Sequence, residues 1–159
     1  MNKVRIIGCG NLYRGDDAAG ILVVHRLREF GVEAHEAGDD MTRLMSAWQP
    51  DESVFLVDAA LAVAAPGTIL RFSPKDLPRA TKDLRFSTHG IDLAEFIGLA
   101  GALGRLPREL TVIGIVGENF AAGAKVGAAV REAVERVAAE LASLAHPEKA
   151  TDAVASAQA

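Results

Sequence analysis

Three acidic residues and one histidine, all able to do chemistry, lie next to the apolar segments of the sequence. Asp16 and Asp17 come shortly after a short apolar run, and Asp58 directly follows a second one. His89 ends a polar segment and precedes an apolar, helix-like stretch. Carboxylates and imidazole can move protons, and as metal ligands they suit nickel, zinc or manganese better than Cu(I). If the fold brings them together, these groups form an acidic metal-binding site.

Each of these residues also has a purely structural interpretation. Asp16 can serve as the N-cap of a helix with Asp17 in its first turn, where negative charge is favourable. Asp58 can bond its own backbone at the start of a loop, and His89 can simply follow a Thr88 N-cap. From pattern alone the cap is the simpler interpretation of the acid pair, and we expect it to hold for Asp16. For the others the sequence leaves both interpretations open.

Strand-like and helix-like segments alternate along the chain. The expected strands are Val4–Cys9, Val32–Ala37, Ser53–Val57, Thr68–Phe72 and Leu110–Val116. The expected helices are Asp17–Phe30, Met41–Trp48, Gly90–Leu103 and Val126–Leu144. This alternation predicts an α/β fold: a single three-layer domain over residues 1–145, with a twisted, mostly parallel sheet of about five strands flanked by helices.

The remaining segments are expected to lack regular structure. Residues 73–88 read as a long loop, and residues 146–159 as a disordered C-terminal tail. Sites in such sheets collect at the carboxyl ends of the strands, near the point where strand order reverses. Asp17 and Asp58 are both expected at that edge, and His89 is expected beside them.

Composition narrows the function classes. The chain has 159 residues, half of them hydrophobic, and a net charge of −4, which does not favour a nucleic-acid partner. Its single cysteine, Cys9, excludes an intrachain disulfide and reads as a small buried hydrophobe. The N-terminal apolar run is too short for a membrane span and has no signal-peptide cleavage site, so we expect no membrane association and a cytoplasmic location.

The glycines that follow the first strand invite a nucleotide-binding interpretation, which the neighbouring residues disfavour. A dinucleotide fingerprint beginning at Gly8 needs a third glycine where the sequence has Tyr13. Asp16 and Asp17 would repel a pyrophosphate at the helix start. No serine lies in a G-x-S-x-G turn and no paired cysteines suit zinc. No activated nucleophile is therefore visible in the sequence, which disfavours chemistry through a covalent intermediate.

The residues in question resemble the motifs of the hydrogenase maturation protease family. The run Ile6–Gly20 resembles its N-terminal signature: a hydrophobic strand, G-x-G-N, a short spacer, an acidic pair and a glycine. Val57–Ala59 resembles its second site, an Asp at a strand end, and Ser87–His89 its third, a His after a small hydroxyl residue. Gly114–Glu118 resembles its late strand, which ends in an acidic loop. The resemblance spans about residues 3–140.

This resemblance implies a function and a set of roles. It implies an endopeptidase that removes the C-terminal extension from a nickel-iron hydrogenase large-subunit precursor after nickel insertion. Asp17, Asp58 and His89 would contact the metal, with Asp17 and Asp58 catalytic, and Asn11 and Asp16 supporting. The nickel would be supplied by the substrate, and no organic cofactor is implied.

Two departures from the family pattern leave the substrate isoform open. Ala-Ala-Leu follows Asp58, where many members have a glycine-containing segment, and Gly117 stands where a proline is common. Two alternatives remain: a nucleotide or phosphate enzyme of similar α/β fold, and a non-catalytic nickel-binding accessory protein.

Overall fold

The computed structural model describes residues 3–38, 41–87 and 92–146. Its strands are β1 (Lys3–Cys9), β2 (His35–Gly38), β3 (Glu52–Ala62), β4 (Ile69–Phe72), β5 (Leu84–Phe86) and β6 (Glu109–Val116). Its α-helices are α1 (Ala19–Glu29), α2 (Leu93–Ala102) and α3 (Ala128–Ala145), and short 3-10 helices cover Gly15–Ala18 and Met41–Ser46. Among these described residues, no helix is long and apolar enough to cross a membrane.

The sheet is mostly parallel, and its strand order reverses at β1. The order is β2-β1-β3-β6-β4, with β5 paired to β3 outside this path. The β1, β2, β3 and β6 strands pair in parallel, and β4 and β5 join antiparallel. From β1 the chain goes first to one neighbour, β2, and later to the other, β3. The crevice between the carboxyl ends of β1 and β3 is therefore the expected place for a site.

Both faces of the sheet are covered, which confirms the predicted three-layer α/β domain. Successive residues of β1 point to opposite cores: Ile6 packs with α1 and α3, and Ile7 packs with α2 and the 3-10 helix that contains Leu44. Strands buried on both faces read as continuous apolar runs. This is why β1, β3 and β6 were all predictable as strands.

The prediction that the strand before Asp58 ends at that residue was wrong. The β3 strand continues to Ala62, and β6 pairs with it as far as Ala60. Ala60 also pairs with Phe86 of β5, so β5 must occupy the edge of β3 that β1 leaves after Gly8. The segment expected to be a long loop thus contributes a sixth strand, which extends the sheet past the carboxyl end of β1.

Helix α1 packs its backbone directly against the ends of β1 and β3. A Cβ atom at Gly20 would lie 2.3 Å from the carbonyl oxygen of Cys9 and 2.4 Å from that of Val57. Neither backbone atom can move away without separating paired strands. Only glycine therefore allows the helix to approach this closely.

We expect Gly20→Ala to lower the free energy of unfolding by about 3 kcal/mol or more, at the upper end of the cost of overpacking a core. Urea denaturation would measure it. The matched control is Gly98→Ala in α2, where an added Cβ meets nothing within 4 Å. There the better helix propensity of alanine should stabilise the protein by up to about 1 kcal/mol. A Gly20→Ala protein as stable as wild type would show that the helix can shift at little cost.

Candidate functional site

Asp17 is held beside the end of β1 by a tight loop. It lies in the 3-10 helix and is 2% exposed. The Asn11 N–H donates to the Asp17 carbonyl oxygen at 3.2 Å, and the Asp17 N–H donates to the Arg14 carbonyl oxygen at 3.1 Å. Gly10 has a φ of 126°, and a Cβ there would lie 2.1 Å from the Asp17 carbonyl oxygen. The second glycine of the motif thus lets the chain turn back sharply enough to place Asp17 at the strand end.

Asn11, predicted as a supporting residue, organises the same loop. Its side-chain Oδ1 accepts the Tyr13 N–H at 2.9 Å, which is an Asx turn. Its carbonyl oxygen accepts the Arg14 N–H at 3.3 Å. Asn11 therefore shapes the connection between β1 and Asp17 through backbone contacts.

Asp58 lies within β3, opposite Gly114 of β6, and is 1% exposed. Its Oδ1 accepts the Ser87 hydroxyl at 2.8 Å and the backbone N–H of Ala59 at 2.9 Å. The bond from the Ala59 N–H is the backbone bond of the structural interpretation given above, but it forms inside a strand and not at the start of a loop. The bond from Ser87 links this carboxylate to the segment that leads from β5 toward His89.

Cys9 shows that Asp17 and Asp58 lie near one another. Its thiol is buried, and burial raises the pKa of the thiol well above its ordinary value. The negative charges of Asp58 and then Asp17 raise that pKa further, so both carboxylates act on one sulfur atom. The last β1–β3 pair is Gly8 with Val57, so Cys9 and Asp58 follow it side by side. The two acids thus share the crevice between β1 and β3.

Cys9 is buried, as predicted, and both carboxylates act on its thiol.

Asp16 has a structural role, but not the predicted one of helix cap. The 3-10 helix and α1 have Arg14 and Ala18 as N-caps, and neither makes a side-chain capping bond. The Asp16 Oδ2 instead accepts the N–H groups of Glu118 and Asn119 at 2.9 and 3.1 Å, and Oδ1 accepts that of Gly127 at 2.9 Å.

This buried carboxylate therefore joins the segment that carries Asp17 to the loop after β6 and to Gly127, the N-cap of α3. Gly117 matters to this junction as well. A Cβ at Gly117 would lie 2.6 Å from the Asp16 Cβ. The glycine that stands where the family commonly has proline is thus packed against Asp16.

We expect Asp16→Asn to lower the free energy of unfolding by at least about 2 kcal/mol, because a buried amide leaves at least one of the three N–H groups that now bond to the carboxylate without an acceptor. That exceeds the roughly 1 kcal/mol expected for loss of a cap. Urea denaturation would measure it. The control is Asp76→Asn, at an exposed acid that accepts one serine hydroxyl at 2.9 Å and should change stability by less than about 0.5 kcal/mol. If Asp16→Asn and Asp76→Asn lowered the free energy of unfolding equally, the stabilising role of the Asp16 junction would be contradicted.

His89 lies outside the described residues, so its position relative to the two acids stays a prediction. Within residues 3–38, 41–87 and 92–146, no three His, Cys, Asp or Glu side chains are grouped so as to hold a metal ion. Sequence reasoning missed the bond from Ser87 to Asp58. Its only signal was the hydroxyl residue placed two positions before His89.

Comparison with known proteins is consistent with this architecture. The HycI family model, described as hydrogenase maturation protease, matches residues 21–144, a range that includes Asp58 and begins after the acid pair. A putative hydrogenase maturation protease, MJ0253 of Methanocaldococcus jannaschii, is 32% identical over 151 residues, which cover 87% of this chain and 96% of that protein.

A second relative is longer than this chain. The hydrogenase expression/formation protein HoxM of Azotobacter vinelandii is 29% identical over 123 residues, which cover 74% of this chain and 59% of HoxM. Among solved structures, the [NiFe] hydrogenase maturation protease HybD from Thermococcus kodakarensis superposes with a TM-score of 0.72 at 26% identity. That superposition covers 90% of this chain and 99% of HybD.

Proposed function

The chain belongs to the hydrogenase maturation protease family, and on that premise we propose that it is an endopeptidase acting on the precursor of a nickel-iron hydrogenase large subunit. It removes the C-terminal extension of that precursor after nickel has been inserted. The observation that carries this proposal is the pair of buried carboxylates, Asp17 and Asp58, at the strand-order reversal, where both raise the pKa of the buried Cys9 thiol.

We assign the hydrolysis to these carboxylates. One of them takes a proton from water as the water oxygen bonds to the carbon of the scissile carbonyl. The carbon–nitrogen bond then breaks, and the proton passes to the departing amine. The carboxylate only carries the proton, and all other bonds formed or broken belong to water and peptide, so no covalent intermediate with the protein is needed. This mechanism makes the protein an aspartic-type peptidase.

Nickel enters the proposal as part of the substrate. Asp17 and Asp58 supply oxygen ligands, and His89 is proposed to supply an imidazole nitrogen. Such ligands can complete a coordination shell around nickel that the precursor leaves open. The contact would then act as a recognition signal, and the protein would hold no nickel between turnovers.

The two acids are almost completely buried, so we propose that a surface segment moves to let the precursor reach them. The candidate is residues 73–87, the described part of the predicted loop, which includes β5. Its bond from Ser87 to Asp58 connects it directly to the site. It also carries four exposed cations: Lys75, Arg79, Lys82 and Arg85. We propose that this segment opens to admit the peptide and closes over it.

A cytoplasmic location for the reaction stays a prediction from the sequence.

The test is to incubate the purified protein with nickel-loaded precursor and analyse the products by mass spectrometry. A C-terminal peptide and a correspondingly shortened large subunit are expected. Stable binding without shortening would instead identify a nickel-binding accessory protein. If the precursor stays intact and unbound while a nucleotide binds, the α/β small-molecule enzyme would be favoured.

A further inference from the structure

Two apolar side chains project from the loop that positions Asp17. In the connection between β1 and the 3-10 helix, Leu12 is 42% exposed and Tyr13 is 79% exposed. Single exposed apolar residues are common on protein surfaces and need no explanation. Here, however, two adjacent ones lie on the same short loop as a candidate catalytic residue.

The exposure of Tyr13 does not come from a loose loop. Its N–H donates to the Asn11 Oδ1 at 2.9 Å, and its carbonyl oxygen accepts the Gly123 N–H at 2.8 Å. The Tyr13 backbone is thus bonded on one side within its own loop and on the other to the loop after β6. A ring presented from a fixed backbone loses little conformational freedom when a partner covers it.

We propose that Leu12 and Tyr13 form the docking contact for an apolar surface of the large-subunit precursor beside its extension. This inference rests on the proposed function. The Asn11 N–H bonds to the Asp17 carbonyl oxygen, so the docking loop and the catalytic candidate form one hydrogen-bonded unit. The loop that carries Leu12 and Tyr13 therefore borders the segment that carries Asp17. Tyrosine is also among the residues that contribute most to binding at protein interfaces.

The experiment measures cleavage of nickel-loaded precursor as a function of its concentration. Tyr13→Ala should raise KM by at least about 30-fold, as expected for truncation of a dominant interface residue, while kcat stays close to wild type. Tyr13→Phe, which keeps the ring, should stay within about threefold of wild type. Melting temperatures should not change, because the ring is mostly exposed.

The matched control is Leu103→Ala. Leu103 is 57% exposed, but it lies at the end of α2 shortly before β6 begins, which places it at the amino edge of the sheet. Its truncation should leave KM unchanged.

An unchanged KM in Tyr13→Ala, or an equal rise in Leu103→Ala, would overturn the proposal. A wild-type dimer that Tyr13→Ala dissociates, with no effect on KM, would assign the surface to a second copy of the chain and also overturn it. Failure of the proposed function looks different, because the wild-type protein itself would then leave the precursor intact. That result would overturn both proposals.

Discussion

Asp58→Asn should abolish processing of the precursor while leaving the protein folded. The asparagine side chain keeps an oxygen that can accept the Ser87 hydroxyl and the Ala59 N–H, so the hydrogen bonds seen at Oδ1 can persist. It removes the negative charge and the ability to take a proton. A positioned general base contributes about 100- to 10,000-fold in rate, and we expect a loss near the middle of that range, roughly 1,000-fold. Precursor cleavage followed by mass spectrometry measures it.

Two further variants are compared with Asp58→Asn. Asp16→Asn, studied below its melting temperature, should keep most of the activity, since the Asp16 carboxylate bonds to backbone N–H groups of the loop after β6. Ser87→Ala should fall between the two, because it removes one bond that orients Asp58. Asp58→Asn within tenfold of wild-type activity would remove Asp58 from the chemistry. Equal losses in Asp16→Asn and Asp58→Asn would show that the acid pair has been divided wrongly.

The parts of the fold that depend on local pattern were predictable. Strands buried on both faces gave continuous apolar runs, and α3 showed its apolar stripe in the sequence. The extension of β3 and the short β5 were not predictable. Alanine is depleted in strands, so Ala59–Ala62 carried no strand signal. Their pairing with β5 depends on where β1 leaves the sheet, which is a property of the assembled fold.

The candidate site also has parts that were predictable from local sequence and parts that were not. The glycines and acidic residues near the N-terminus predicted Asp17 at a strand end, because the turn that places it is local in sequence. The partners of Asp16 lie 102, 103 and 111 residues away, so no local pattern could replace the expected cap with the observed junction. The nearness of Cys9 to Asp58 follows from the register of β1 against β3, which is equally non-local.

Nickel-free precursor should be left uncut, and this is the second large effect we expect. A protease that cut the precursor before metal insertion would leave a large subunit without its nickel. Recognition that requires the metal prevents this, because under the proposed function the nickel of the precursor offers the carboxylates of Asp17 and Asp58 a metal contact that the nickel-free precursor lacks. Coupling between two binding events is commonly worth 5- to 150-fold, and we expect nickel-free precursor to be cleaved at least about 100-fold more slowly.

The measurement compares precursor from nickel-starved cells, with its metal content confirmed as nil, with the same precursor after nickel loading. The His89→Ala variant tests whether recognition of the metal, and not a difference in folding between the two precursors, decides cleavage. If His89 contacts the metal, its loss should weaken binding of the nickel-loaded form and leave the weak binding of the nickel-free form unchanged. The exposed His25 provides the control, since its imidazole bonds to Glu36 on the surface, and His25→Ala should change neither. Rapid cleavage of the nickel-free precursor would contradict metal-dependent recognition. If both precursors were cleaved equally fast, Asp17 and Asp58 would have to act on the peptide alone.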